Sequence, residues 1–204
     1  MLNFNNADKK NKSFMYQNLQ KSKCYNSDFS NSCFDYVCFR GAHMKSCKFN
    51  ECTFKGAEFV GVNLKESTFK NAVFENSIFD GAKLEGVDFK GAIFKNTIFV
   101  NTSLEGVLNL NTEDSNLEIL SEMPKLDLSD ALRLEIENTM ANPYVKKSRV
   151  LDTKEKKMNT VSVKLLIQNF GEEMLIHNLK ILCAQIDRDF YTLSYIIRIL
   201  EKMR

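Results

Sequence analysis

Between residues 69 and 99 the chain reads FKNAVFENSIFDGAKLEGVDFKGAIFKNTIF, with a large apolar residue at every fifth position from Phe69 to Phe99. A spacing of five fits neither the 3.6-residue turn of a helix nor the two-residue alternation of a strand. The phase holds from residue 14 to residue 104: its nineteen central positions are thirteen Phe, four Leu, one Met and one Cys. Every Phe before residue 110 lies in it, so the chain carries a true internal repeat.

Two further columns accompany the centres. Two residues before each centre stands a small side chain, as in Ala42, Cys47, Cys52, Ala57, Ser67 and Ala72. Two residues after it, Gly or Asn dominates, as in Gly41, Gly56, Asn71, Asn76, Gly81 and Gly91. A centre and the residue two before it share one side of an extended backbone, so one large and one small side chain face inward together. Gly and Asn accept the turn conformations that a corner needs. Each pentapeptide is therefore a short facet followed by a corner, and stacked facets pair as a parallel sheet. The centres that are not Phe recur at Cys24, Met44, Leu64, Leu84 and Leu104, with Leu19 outside the set. A recurrence of 20 predicts four facets per coil, three lined by Phe and one by Leu-type residues. About five coils at a strand spacing of about 4.8 Å make a rod about 24 Å long.

This pattern of small, x, Phe or Leu, polar, Gly or Asn resembles the pentapeptide-repeat protein family over residues 14–108. The resemblance implies a right-handed quadrilateral β-helix, in agreement with the derived period. The expected fold is thus a mainly β N-terminal half of about five 20-residue coils, followed by a mostly α-helical C-terminal region. Residues 1–23 fit the repeat less well, because Lys9 occupies a centre where a charge is costly. They are expected to form an irregular cap or first coil.

Beyond Leu108 the five-residue phase stops, and residues 109–204 read as a mainly helical domain. EDSNLEILSE (113–122) and SDALRLEIENTMA (129–141) look helical, the second with Ser129 as N-cap. Residues 143–158 follow as a linker, opened by Pro143 as a breaker; six bases face two acids across 146–157. Solvation explains such a run; a phosphate- or partner-binding strip is the functional alternative. TVSVKLLIQ suits either a strand or a helix ended by Gly171. Helix is expected from Glu172, and Asp189 is a candidate cap for a last helix. The rod's end, with Phe94, Phe99 and Leu104 open to solvent, is a candidate surface for these helices to cover.

Charge and chemistry narrow the function. The formal net charge is +2, and outward positions between 23 and 106 hold ten bases and ten acids. Some family members mimic a DNA duplex and bind type II topoisomerases through a strongly acidic surface. The resemblance therefore implies, as an alternative, a modulator or protector of gyrase, but this surface is balanced and the repeat has no loop insertion. Nucleic-acid binding through 146–157 is a further alternative, weakened by the lack of interleaved aromatics beyond Tyr144. No phosphate loop or dinucleotide fingerprint is present. His43 and His177 have no partner suggested by spacing, so the expectation is a non-enzymatic protein without cofactor or metal. The six cysteines are expected as free thiols, with Cys47 and Cys52 inward as small core residues. No apolar run reaches the about 20 residues of a membrane span, and MLNFNNADKK lacks the core of a secretion signal; both point to a cytoplasmic protein. The feature that most invites a partner is a group of apolar residues at outward positions: Val60, Val73, Ile78, Ile93, Ile98 and Val100. β-branched residues suit a strand surface in their own right. Contiguous apolar surface also marks an interface, so a protein-interaction rod that forms a homodimer is the first expectation.

Overall fold

In the computed structural model, which describes residues 2–204, the backbone pairs with itself at a fixed offset of twenty residues. Strand β1 (Asn3–Asn5) lies parallel to β2 (Lys23–Tyr25). On a second side β3 (Thr53–Lys55), β5 (Val73–Glu75) and β7 (Ile93–Lys95) form one ladder. On a third, β4 (Glu58–Val60), β6 (Ile78–Asp80), β8 (Thr97–Val100) and β9 (Leu117–Leu120) form another. Single bridges such as Asp8 to Asp28 and Thr68 to Asp88 keep the same offset on the remaining side. The result is a four-sided β-solenoid in which Phe54 stands over Phe74 and Phe94, and Phe59 over Phe79 and Phe99.

The corners have one physical cause. All twenty-one positions from 6 to 106, taken in steps of five, have positive φ between 46° and 73°. Gly61 meets this without strain, and a Cβ there would touch nothing within 4 Å, so its requirement is conformational rather than steric. Tyr16, Lys21, Glu51 and Glu66 adopt the same left-handed conformation, each at a cost of about 1–2 kcal/mol. The repeat's other interactions over-determine the corner.

The bore is filled by rings. Phe14, Phe34, Phe54, Phe74 and Phe94 stack at centroid distances of 4.7 to 5.4 Å. A second stack, Phe39 to Phe99, has spacings of 4.3 to 4.7 Å. A third runs from Phe29 to Phe89 at 5.0 to 5.4 Å. Cys24, Met44, Leu64 and Leu84 line the fourth side, all buried.

The small inward column carries a second code. Many corners close on themselves, the N–H three residues beyond the centre donating to the centre's carbonyl, as from Ala42 to Phe39 at 2.9 Å and from Ser67 to Leu64 at 3.0 Å. Over the corners closed in this way between Phe14 and Leu84 the residue 23 positions on is Val or Ala, as Val62 is for Phe39 and Val87 for Leu64. Other corners are bridged instead by a hydroxyl from the following coil. Ser67 Oγ donates to Met44 O at 2.7 Å and accepts from Cys47 N at 3.0 Å. Ser27 does the same for Phe4 and Ala7, and Thr102 for Phe79 and Ala82. Cys47 and Cys52 donate their thiols to Cys24 O and Phe29 O, both at 3.1 Å. A residue in this column is therefore polar where it must satisfy the backbone below it. Ser67→Ala is expected to lower unfolding free energy by about 1–3 kcal/mol, because it strands a buried N–H and a buried carbonyl. Ser67→Cys retains the bridge and most of the stability. Denaturant midpoints of the two variants check this.

Three expectations for this half change. The ladder starts at Asn3 rather than near residue 14 and runs to Leu120, giving about six turns instead of five. Lys9 is accommodated by a cation–π contact, its Nζ sitting 4.4 Å over the Phe4 ring in the first coil described. Residues 113–122 are not helical, since Leu117–Leu120 continues the register of β8, and Leu117 with Leu104, Val107 and Leu110 packs over the last rings. Phe94 and Phe99 are consequently buried rather than open to solvent.

The chain divides into two compact units, Met1–Glu122 and Met123–Arg204. The second contains helices α1 (Asp130–Ala141), α2 (Pro143–Ser148), α3 (Thr160–Phe170), α4 (Glu172–Gln185) and α5 (Leu193–Glu201). Ser129 caps α1 by accepting from Leu132 N, as its position before an acidic turn predicts. Residues 160–170 resolve as helix, capped by Asn159 and ended at Gly171. Helix α1 packs on α4, and Leu132, Ile136, Leu175, Leu179 and Leu182 are buried. Asp189 does not cap α5; Thr192 holds that place and Asp189 pairs with Lys147. The stretch 143–158, expected as a linker, is folded. Pro143 opens α2, Arg149 ends it in a left-handed conformation, and an Asp152–Met158 bridge closes the following turn. Val145, Val150 and Leu151 are buried and tie the segment to its unit.

Candidate interaction surface

The six outward apolar residues fall on two adjacent sides of the solenoid. Val73 and Ile93 are register partners on β5 and β7, and Ile78 and Ile98 on β6 and β8. Val60 and Val100 share a column but are separated by Asp80. Their exposures differ sharply. Ile98 is 2% and Val100 0% exposed, and Ile78 is also buried, whereas Ile93 is 56% exposed and Val73 and Val60 are half-buried. The accessible part of the group is thus the Val73–Ile93 column.

Beside that column runs Lys55–Glu75–Lys95, one residue per coil. Lys55 pairs with Glu75 at 3.3 Å, an ammonium-to-carboxylate bond that pushes the Lys55 pKa up. The same coil-to-coil neutralisation recurs elsewhere. Lys45 meets Glu66 at 3.1 Å, Lys70 meets Asp88 at 3.5 Å, and Lys65 pairs with Glu85. Arg40 meets the buried Glu58 at 3.8 Å. Several acids on the rod are therefore matched by bases about one coil away. Such exposed pairs contribute little individually, and their main effect here is to leave no face of one sign.

The thiols serve the backbone. Burial pushes the Cys47 and Cys52 thiols up to about 12, against a weaker opposing effect of backbone N–H donors. Burial, reinforced by the Glu58 carboxylate, also raises Cys38. Cys38, although at an outward position of the repeat, is buried, while Cys33 is half-buried. His43 and His177 are both exposed. Among the described residues no group of His, Cys, Asp or Glu is arranged to hold a metal ion. No helix there is long and apolar enough to cross a membrane.

One surface feature escaped the sequence reading. Tyr16 and Tyr36 stack at 4.9 Å with an interplanar angle of 7°, on adjacent coils of one corner. Tyr16 is 51% exposed and Met15 beside it 39%. Its signal in the sequence is two Tyr spaced by 20 in a corner column otherwise dominated by Gly and Asn.

A family model described as pentapeptide repeats, in nine copies, matches residues 19–111. No curated protein matches the chain. Among solved structures, the chain is similar to QnrB1, a plasmid-mediated fluoroquinolone resistance protein. The two are 17% identical, with 53% of this chain and 70% of the other covered and a TM-score of 0.27. It is also similar to a pentapeptide repeat protein from the Arabidopsis thaliana thylakoid lumen, at 20% identity, 78% and 88% coverage and a TM-score of 0.32. A third is HetL from the cyanobacterium Nostoc, a pentapeptide repeat protein involved in heterocyst differentiation regulation. Its identity is 15%, its coverage 58% and 69%, and its TM-score 0.25.

Proposed function

We propose that this chain, which belongs to the pentapeptide-repeat family through residues 19–111, is a non-enzymatic protein-interaction rod that self-associates through the outer face of β5 and β7. The observation that carries the reading is Ile93, a large apolar side chain 56% exposed on a flat strand surface, with Val73 directly before it in the ladder. Glu75 and Lys95 flank the two apolar residues on adjacent coils. A second copy laid antiparallel would set Lys95 against Glu75 and bury Ile93 against Val73, so the face is complementary to itself, as a two-fold interface requires. The filled bore also supports a role in display rather than chemistry, because the centre of the rod is close-packed ring against ring. The paired surface charges favour this reading over duplex mimicry, which calls for unpaired acid.

Light scattering on the full chain tests the reading. The expected result is a species of twice the 23.5 kDa chain mass at micromolar concentration. Ile93→Lys should convert it to single chains while leaving the unfolding midpoint nearly unchanged, since exposed substitutions stay within about 0.5 kcal/mol. A native chain that is monomeric at high concentration would overturn it.

A further inference from the structure

The basic segment of the second unit closes around a cleft of about 480 Å³. The end of α1, the left-handed residue Arg149 after α2, and the turn closed by the Asp152–Met158 bridge form its walls. Four cations line it: Lys146, Arg149, Lys154 and Lys156. Asp152 is the one carboxylate in the lining, 3.6 Å from Arg149. The cleft therefore has an excess of three positive charges. Two neighbouring lysines of the same unit are matched: Lys147, in the same helix as Lys146, pairs with Asp189, and Lys180 meets Glu135 at 3.5 Å. Among the described residues Lys146, Lys154 and Lys156 have no carboxylate within ion-pair distance. The fold places these cations around one concavity. An anion in the cleft would neutralise the excess, and concave walls focus the field on it.

The lining specifies the anion. Lys and Arg offer several N–H donors each, which match the oxygens of a phosphate group. Met140 and Ala141 add an apolar floor, suited to an organic body rather than to a bare ion. The volume falls in the range of small-molecule sites, about 300–1,000 Å³, and is too confined for the extended backbone track of a duplex.

We propose that this cleft binds a small organic di- or triphosphate, with the phosphates on Lys146, Arg149, Lys154 and Lys156 and the organic part on Met140 and Ala141. The site lies within the helical unit, and its fate is independent of whether the rod self-associates. Titration calorimetry of the full chain at low salt, with ADP and with inorganic pyrophosphate as probes, provides the test. ADP is expected to bind more tightly than pyrophosphate, with both weakened by salt. ADP should also raise the thermal midpoint of the native chain. Lys154→Glu combined with Lys156→Glu should weaken ADP binding at least about tenfold and abolish the thermal shift. Lys157→Glu, one residue outside the lining, should leave both unchanged. Absence of binding by either probe, equal losses in the Lys157→Glu variant, or tighter binding of a short DNA duplex than of ADP would each overturn the proposal.

Discussion

Phe54→Ala is expected to reduce the stability of the protein by about 3–5 kcal/mol, and Phe54→Lys to prevent folding of the rod. Phe54 is fully buried midway along the bore, with six other rings at centroid distances of 4.9 to 6.2 Å. Truncation removes the area term of one Phe and also the ring-pair contributions of about 0.5–1.5 kcal/mol each that exceed area burial. Neighbouring rings are held by the ladders on either side, so the cavity collapses only in part. Phe4→Ala is the matched control. Phe4 is half-buried and lies tilted against one ring, Phe29, at 6.3 Å, so its loss should be much smaller. Equilibrium denaturation of the three variants decides the matter. Near-native stability of Phe54→Lys would mean that the bore is not the core.

The second large effect is Ile98→Lys, expected to lower stability by more than about 3 kcal/mol although Ile98 points away from the bore. From sequence, Ile98 and Ile93 are equivalent: each precedes a centre, and each follows an apolar residue twenty positions earlier. The structure separates them, because Ile98 is 2% exposed and Ile93 56%. A lysine at 93 has water to reach; one at 98 loses its hydration without gaining a carboxylate partner. Thermal denaturation of the two single variants should therefore diverge by many degrees. Equal midpoints would show that the outer faces of β7 and β8 are alike in solution. Substitutions at 78 and 98 report on folding, and only those on the Val73–Ile93 column report on assembly.

The contrast shows what was legible in the residues. The five-residue phase was plain because two requirements act in every repeat: a ring to fill the bore and a left-handed corner behind it. Phe74 and Asn76, or Phe79 and Gly81, state both at once. The four-sided cross-section was legible because Leu64 and Leu84 interrupt the Phe run every twenty residues. The ends of the rod were harder. Lys9 breaks the pattern for a reason that exists only in three dimensions, since its ammonium lies over the Phe4 ring. Leu117–Leu120 joins β8 by register alone, without Phe or a Gly corner to announce it. The alternation of Ser27, Cys47 and Ser67 with Val62 and Val87 was visible as residue types. Its meaning needs the partner 23 residues away, where one carbonyl has a turn bond and another has none. In the second unit, periodicity located the helices but could not show that Lys146, Lys154 and Lys156 converge, because a turn of 152–158 brings them together. The exposure of Ile93 was equally hidden, being a property of what surrounds a residue rather than of the residue.

The constant offset of twenty between paired residues quantises how this half of the chain can change in length. A single-residue deletion shifts every later ring out of the bore and every later corner off its left-handed position. Removing five residues restores the corners but turns each following side by one quarter, so that the Leu64 side slides beneath a Phe stack and the hydroxyl bridges meet corners already closed. Only a whole lap leaves rings, corners and bridges in place together. Evolution of such a rod therefore proceeds by duplicating or losing entire coils, and length variants that are not multiples of twenty belong in the stretch beyond Leu120, where no ladder keeps count.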